Sequence, residues 1–245
     1  MSLELIALRP GGLTHTDISR ILAIPKSSCT YILSRLERHH YVSRDEDTGR
    51  YEVGLKLVGL AHGVHENSST RNILEPILRK FVGETALTAA VGVLSQGSVV
   101  LIENIENCRS KRVNLSVGLE LPFDATALGK ILVASLSTEE IDQLVDRYGF
   151  SGRADAAVSK AQLMCELETI RKQQYATNQR VPGLRSVAVP IFDAAGSVCA
   201  GLVASGAANS KAWDARPSII EQLRATAQEI SNLKWSIDWR QIFSR

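Results

Sequence analysis

Within the first 65 residues, apolar residues recur at the three- and four-residue spacing that is typical of short amphipathic helices. Ile18, Ile21 and Leu22 lie three and four positions apart, which predicts a buried stripe on one side of a helix. Thr14 precedes this stripe and has Asp17 three residues later, a pattern in which a side-chain hydroxyl accepts a free backbone N–H. We therefore expect a helix that begins at Thr14.

A second helix is predicted after the short connection "AIP". Pro25 suits a first helical turn, where its missing N–H costs nothing. The apolar face follows helical spacing and consists of Cys29, Ile32, Leu33 and Leu36. Two helices separated by about three residues match the helix-turn-helix arrangement.

A β-hairpin is predicted next, because the strand-like runs "YVSR" and "RYEV" flank the polar turn "DEDTG". Gly49 supplies the positive φ that such turns often need. Two helices and a hairpin indicate a winged helix-turn-helix. The run "LKLVGLAHGVH", residues 55–65, predicts a further helix that packs against something, such as a second copy of itself. We assign residues 1–65 to this domain and its connecting helix, and take residues 66–70 as a linker.

Residues 66–245 alternate between helical and strand-like patterns. Helices are predicted at about 71–83, 125–136, 138–147 and 160–173, and from Pro217 onward. The turns "SQG" and "DAAG" each join two apolar runs, which predicts hairpins, and "KRVNLSV" is a further candidate strand. Tight hairpins among helices indicate an antiparallel sheet, so the fold class is α+β.

Composition narrows the class of protein. Apolar residues make up 44% and charged residues 22%, as in soluble globular proteins. No apolar run approaches the ~20 residues of a membrane span, and the N-terminus lacks the pattern of a secretion signal, so we expect a cytoplasmic protein. The cysteines are widely spaced, which argues against disulfides or a zinc ribbon. The net charge of +2 is spread evenly and identifies no partner.

The outward face of the second predicted helix carries the candidate DNA-binding residues. Short hydroxyl side chains and N–H groups at a helix start suit phosphate oxygens, whereas longer polar side chains reach base edges in the major groove. An arginine on the wing can enter a neighbouring minor groove. The alternative, a helix-turn-helix used for protein contacts, stays open. The predicted contact residues are Lys26, Ser27, Ser28, Thr30, Tyr31, Arg35, Arg44 and Arg50.

The stretch "FDATALGK" carries the candidate effector site of the second domain. Asp124 or Thr126 can cap a helix whose first N–H groups, near Ala127 and Leu128, could receive a ligand carboxylate. The plainer interpretation, that Asp124 only caps and Gly129 only permits close packing, stays open. Residues 66–245 contain no histidine, which removes the commonest catalytic base, and no phosphate-loop pattern, so we expect neither an enzyme nor a bound cofactor or metal.

Beyond these patterns, the chain resembles the IclR-type transcriptional regulators over nearly its whole length. The resemblance lies in "IPKSS" at the start of the second helix, in the spacing of Gly49, Tyr51 and Gly54, and in the stretches "LPFDATALGKILVA" and "VPGLRSVAVPIFDAAGSVCAGLVASG". It implies a GAF-like effector domain, homodimers or homotetramers on a near-palindromic operator, and control by a small metabolite, an organic acid or an aromatic compound.

The family correspondence also suggests pocket residues. Ser186 and Ser205 would face the effector cavity. The family's acidic run is replaced here by Asn178, Gln179 and Arg180, which favours an anionic or polar neutral effector. The rival hypotheses are a regulator whose second domain only oligomerises, and an enzyme with a fused DNA-contacting module.

Overall fold

The computed structural model describes residues 2–66, 69–107, 115–150, 160–178 and 182–233. Two compact units make up the chain, Met1–Ser69 and Thr70–Arg245. The division falls four residues after the predicted end of the first domain at residue 65.

The first unit contains two central helices and a small antiparallel sheet. The described elements of this unit are α1 (Ser2–Ala7), β1 (Leu13–Thr14), α2 (His15–Ile21), α3 (Lys26–Arg38), β2 (Val42–Arg44), β3 (Arg50–Val53) and α4 (Lys56–Glu66). Strand order in the sheet is β1-β3-β2, so the short strand between α1 and α2 adds a third strand to the predicted hairpin.

The predicted start of α2 is confirmed, but its predicted buried stripe is partly wrong. The Thr14 hydroxyl accepts the Asp17 backbone N–H at 3.2 Å. Ile18 is buried, whereas Ile21 is 46% exposed at the last residue of the helix. The polar Ser19 is buried instead, and its hydroxyl donates to the Ile24 carbonyl at 2.7 Å. That hydrogen bond ties α2 to the turn before α3, which an apolar side chain cannot do.

The wing turn is fixed by one carboxylate. Asp45 accepts hydrogen bonds from the Thr48 backbone N–H and hydroxyl, both at 2.7 Å, and Gly49 adopts the predicted positive φ of 65°. These hydrogen bonds, first of all that from the Thr48 hydroxyl, hold the pKa of Asp45 below its ordinary value. The turn therefore keeps its ionised acceptor at neutral pH.

Helix α4 presents apolar side chains to solvent within the first unit. Leu55, just before the helix, is 87% exposed, and Val58 and Leu60 are 65% and 47% exposed. Of the predicted linker, residues 67 and 68 lie outside the described residues, and residues 69 and 70 belong to the next helix.

The second unit is built on an antiparallel sheet, as predicted. The described elements are α5 (Ser69–Thr85), β4 (Thr88–Ser95), β5 (Ser98–Ile105), β6 (Glu120–Pro122), α6 (Ala127–Val133), α7 (Thr138–Tyr148), α8 (Lys160–Gln173), β7 (Ala176–Asn178), β8 (Leu184–Phe192), β9 (Val198–Ala207), a 3₁₀ turn (Lys211–Ala215) and α9 (Arg216–Asn232). The strand order in the described part of the chain is β6-β5-β4-β9-β8-β7.

Both predicted hairpins are present. Gln96 and Gly97 join β4 to β5 with positive φ values of 46° and 81°, which matches the right-handed twist of paired strands. The candidate strand "KRVNLSV" is not found as predicted: residues 111–114 lie outside the described residues and residues 115–117 form no strand. The next strand that the structure describes after β5 is β6, which pairs with β5.

The sheet separates two cores, because side chains alternate between its faces. Helices α5 and α9 cover one face, where Leu78, Leu202 and Leu223 are fully buried. Helices α6, α7 and α8 cover the other face, where Leu128 and Leu167 are buried. The candidate effector residues lie on this second face.

Candidate DNA-binding surface and effector site

The N-terminal turn of α3 is exposed and carries no side-chain cap. The preceding residue, Pro25, makes no capping hydrogen bond, and the first intrahelical bond joins the Cys29 N–H to the Pro25 carbonyl at 3.0 Å. The N–H groups of Lys26, Ser27 and Ser28 therefore point out of the helix end, and all three residues are exposed. Such an end attracts phosphate.

Thr30, one turn further along, is joined to α2 by a histidine that sequence reasoning did not single out. The Thr30 hydroxyl donates to the Lys26 carbonyl at 3.0 Å. His15 Nε2 lies 2.9 Å from the same hydroxyl and 3.1 Å from the same carbonyl. Because His15 and Thr30 are 15 residues apart on different helices, no periodic pattern reveals the pair.

Tyr31 and Arg35 lie together on the outer face of α3. Tyr31 is 62% exposed, and the Arg35 guanidinium carbon stands 5.3 Å from the centre of its ring. A residue and its neighbour four positions on share one helix face. The aromatic ring and the cation thus form one surface beside Thr30.

The two wing arginines have different surroundings. The exposed Arg44 lies 5.9 Å from the centre of the Tyr51 ring. Arg50 Nη1 donates to the Gly12 carbonyl at 3.0 Å and so fastens β3 to the loop before α2. Arg50 therefore has a structural partner, and contact with DNA stays a prediction for both arginines.

In the second unit, the cap of α6 is Thr126 and not Asp124. The Thr126 hydroxyl accepts the Gly129 N–H at 3.0 Å. The sequence offered both residues as alternative caps, and the structure has Thr126 in that role, whereas Asp124 is buried with 2% exposure. The helix is shorter than predicted, Ala127–Val133, and its side chains are buried; the Leu128 methyls face Gly92 and Gly201.

The predicted Ser186 and Ser205 are neighbours in a polar row across the sheet. Their hydroxyls lie 2.9 Å apart. The strand register places Asn178 opposite Ser186, and Ser205 opposite Thr88, so all four residues share one face. Asn178 Nδ2 donates to the Ala125 carbonyl at 3.0 Å, which connects this row to the segment before α6. Sequence reasoning missed Thr88.

A cavity of about 610 Å³ lies beside Asn178, in the size range of small-molecule sites. Most of the residues that line it have polar side chains, among them Lys130, Glu166, Thr169, Thr177 and Asn178.

Lys130 and Glu166 form an ion pair in this cavity. The Lys130 side chain is only 5% exposed, whereas that of Glu166 is 32% exposed. Sequence reasoning missed both residues, although a lysine inside the otherwise apolar "ALGKILV" is a usable signal. The cavity thus contains a buried cation whose partner is more accessible than the cation itself.

The predicted residues Gln179 and Arg180 lie outside the described residues. Within the described ranges, no group of three or more His, Cys, Asp or Glu side chains is placed to hold a metal ion. None of the helices that the structure describes is long and apolar enough to span a membrane.

Comparisons with known proteins agree over both units. The family model described as "IclR helix-turn-helix domain" matches residues 3–46, and "Bacterial transcriptional regulator IclR C-terminal" matches residues 62–232.

Individual relatives give the same result. The HTH-type transcriptional regulator XynR of Escherichia coli (strain K12) is 32% identical over 82% of this chain and 81% of that protein. The transcriptional repressor IclR of the same strain is 26% identical over 78% of this chain and 72% of its own length. The crystal structure of the Thermotoga maritima IclR is similar with a TM-score of 0.65, at 26% identity over 94% of each chain.

Proposed function

Because this chain belongs to the IclR family of bacterial transcriptional regulators, we propose that α3 and the wing bind operator DNA and that a small molecule in the second unit modulates this binding. The observation that carries the proposal is the exposed, uncapped N-terminal turn of α3, in a unit whose wing also carries an exposed arginine. The transcriptional repressor IclR of Escherichia coli is similar to this chain, so repression, in the cytoplasm, is the mode of regulation that we propose.

The contacts divide by chemistry. Lys26, Ser27 and Ser28 hold phosphates, because they combine a cation, hydroxyls and helix N–H groups at one end of α3. Thr30, Tyr31 and Arg35 lie further along the exposed face and contact or flank base edges. Arg44 contacts the neighbouring groove from the wing, with Arg50 as the alternative.

A second copy of the chain covers the exposed apolar residues of α4. Leu55, Val58 and Leu60 expose apolar side chains, and Leu55 and Val58, three positions apart, lie on the same side of the chain, where a partner can remove them from water. A two-fold dimer places two copies of α3 on one duplex, so the operator is near-palindromic. Pairing of such dimers gives the homotetramer as the alternative assembly.

The DNA proposal is tested with a labelled duplex from upstream of the chain's own gene, by fluorescence anisotropy. We expect the double variant Lys26→Glu, Arg44→Glu to lose binding at least tenfold. The matched control Lys80→Glu, Lys211→Glu makes the same charge change at exposed positions of the second unit and should bind like the wild type. Equal losses in both double variants would show that net charge, not this surface, governs binding.

The effector proposal is carried by the Lys130 and Glu166 pair. A ligand carboxylate can replace Glu166 as the partner of Lys130, because Glu166 is the more exposed of the two. The neutral polar side chains of Thr169, Thr177 and Asn178 can bind hydroxyl or carbonyl groups of the same molecule. A small organic acid, aromatic or aliphatic, is therefore the expected class of effector.

A thermal-shift screen of aliphatic and aromatic carboxylic acids tests this assignment, because a ligand that binds only the folded state must raise its melting temperature. Glu166→Gln leaves Lys130 without its competing carboxylate, so an acid that binds should shift this variant more than the wild type. Glu168→Gln, at an exposed position of the same helix, is the control. A screen in which no acid stabilises any variant would favour a second unit that only oligomerises.

A further inference from the structure

The hydroxyl of Thr30 is held between two polar groups of the protein. It donates its single hydrogen to the Lys26 carbonyl at 3.0 Å. His15 Nε2 lies 2.9 Å from the oxygen of the same hydroxyl and 3.1 Å from the same carbonyl oxygen, so the imidazole ring flanks this hydrogen bond.

We propose that Thr30 reads DNA through its γ-methyl group, against the C5 methyl of a thymine, and that His15 is the positioning residue that keeps the hydroxyl turned inward. The inference rests on the proposed DNA contact of α3. The side chain of threonine has two branches, and the hydroxyl branch faces Lys26 and His15. Because Thr30 is exposed, the methyl is the branch left for an outer partner.

The chemistry of the major groove fits this branch. Thymine presents a C5 methyl there, cytosine presents hydrogen in its place, and contact between a threonine methyl and the thymine methyl is a known mode of readout. A threonine hydroxyl, by contrast, can bond to several bases and discriminates less. Because its hydrogen bonds within the protein keep the hydroxyl from bonding to bases, Thr30 discriminates more strongly in favour of thymine.

The test begins with duplexes that the full-length protein selects from a random pool. Each thymine of the selected site is replaced singly by deoxyuridine, which removes only the C5 methyl, and the dissociation constant is measured at one salt concentration. For the wild type we expect roughly fourfold weaker binding at one thymine of each half-site, the effect of one buried methyl group.

Two variants of Thr30 separate its branches. We call the loss of affinity on replacement of this thymine by deoxyuridine the deoxyuridine penalty. Thr30→Val keeps the methyl and replaces the hydroxyl, so it should keep this penalty. Thr30→Ser keeps the hydroxyl and removes the methyl, so it should lose the penalty at that position only. His15→Ala should reduce the penalty, and His15→Ala combined with Thr30→Val should restore it, because both branches of valine are methyls.

The opposite pattern would overturn the inference: a penalty that survives in Thr30→Ser and disappears in Thr30→Val, or one that is equal in all variants. In either case the protein still binds DNA, and the proposed function stands. If the wild type enriches no sequence from the pool, the proposed function fails, and this inference fails with it.

Discussion

Replacement of Lys26 by alanine is expected to weaken DNA binding and also to make it less dependent on salt. Lys26 is exposed in the first turn of α3, beside the N–H groups of Ser27 and Ser28, where the proposed DNA contact would neutralise a phosphate. Each neutralised phosphate contributes about 0.9 to the slope of log affinity against log salt concentration. A dimer loses two such contacts, so the slope should fall by about 1.8.

This slope sets the size of the effect. Between about 50 mM and about 200 mM salt the concentration changes about fourfold, so the advantage of the wild type over Lys26→Ala should shrink by about 12-fold. Anisotropy titrations of one duplex at four or more salt concentrations measure both slopes. Lys211→Ala removes an equally exposed cation from the second unit and should leave the slope unchanged. Parallel lines for the wild type and Lys26→Ala would refute the phosphate contact.

Three further predictions concern stability and reactivity. Leu33→Ala should lower the free energy of unfolding of the first unit, measured with urea, by about 2–5 kcal/mol, because Leu33 is 1% exposed. Leu55→Ala, at an exposed position, should leave this free energy nearly unchanged and weaken the self-association measured by sedimentation. Gly129→Ala should lower the melting temperature, because the new Cβ would lie 2.4 Å from the Phe123 carbonyl oxygen. Gly59 lies within helix α4 and has open space around a new Cβ, so Gly59→Ala should stabilise the protein by about 1 kcal/mol and raise the melting temperature. Iodoacetamide at pH 8 should modify the exposed Cys165 before Cys29, since burial raises the pKa of the Cys29 thiol and so lowers its thiolate fraction; faster labelling of Cys29 by peptide mass spectrometry would contradict that placement.

The spacing of apolar residues predicted most of the described helices and strands, because burial of one face of a helix or strand sets the interval between its apolar residues. The sequence predicted that Ile21 is buried, but Ser19 is buried in α2 because its hydroxyl donates a hydrogen bond to the turn before α3. The spacing of apolar residues carries no information about such a hydrogen bond. Strand β1 is two residues long, too short for any alternation to mark it. Asp124 and Thr126 are both ordinary capping residues, and only the backbone geometry distinguishes them.

The candidate DNA-binding surface was more predictable than the candidate effector site. Most of its residues lie on one helix, so the buried apolar stripe of that helix alone predicts that they point away from the core. The candidate effector residues come from separate strands and helices, and the pairing of β8 with β9 brings Ser186 to Ser205. Thr88 and Glu166 were missed for this reason: no local pattern relates them to the serines or to Lys130.

The polar row of Thr88, Ser205, Ser186 and Asn178 has an evolutionary consequence. Thr88, Ser186 and Ser205 each alternate along their strands with side chains that pack in the opposite core, such as Val187 next to Ser186 and Ala204 next to Ser205. A substitution at one of these three positions therefore changes the polar face of the sheet and leaves the packing under α5 and α9 intact. Under the proposed effector role of this face, duplicated copies of such a gene can acquire new effectors by single changes here while keeping a folded scaffold.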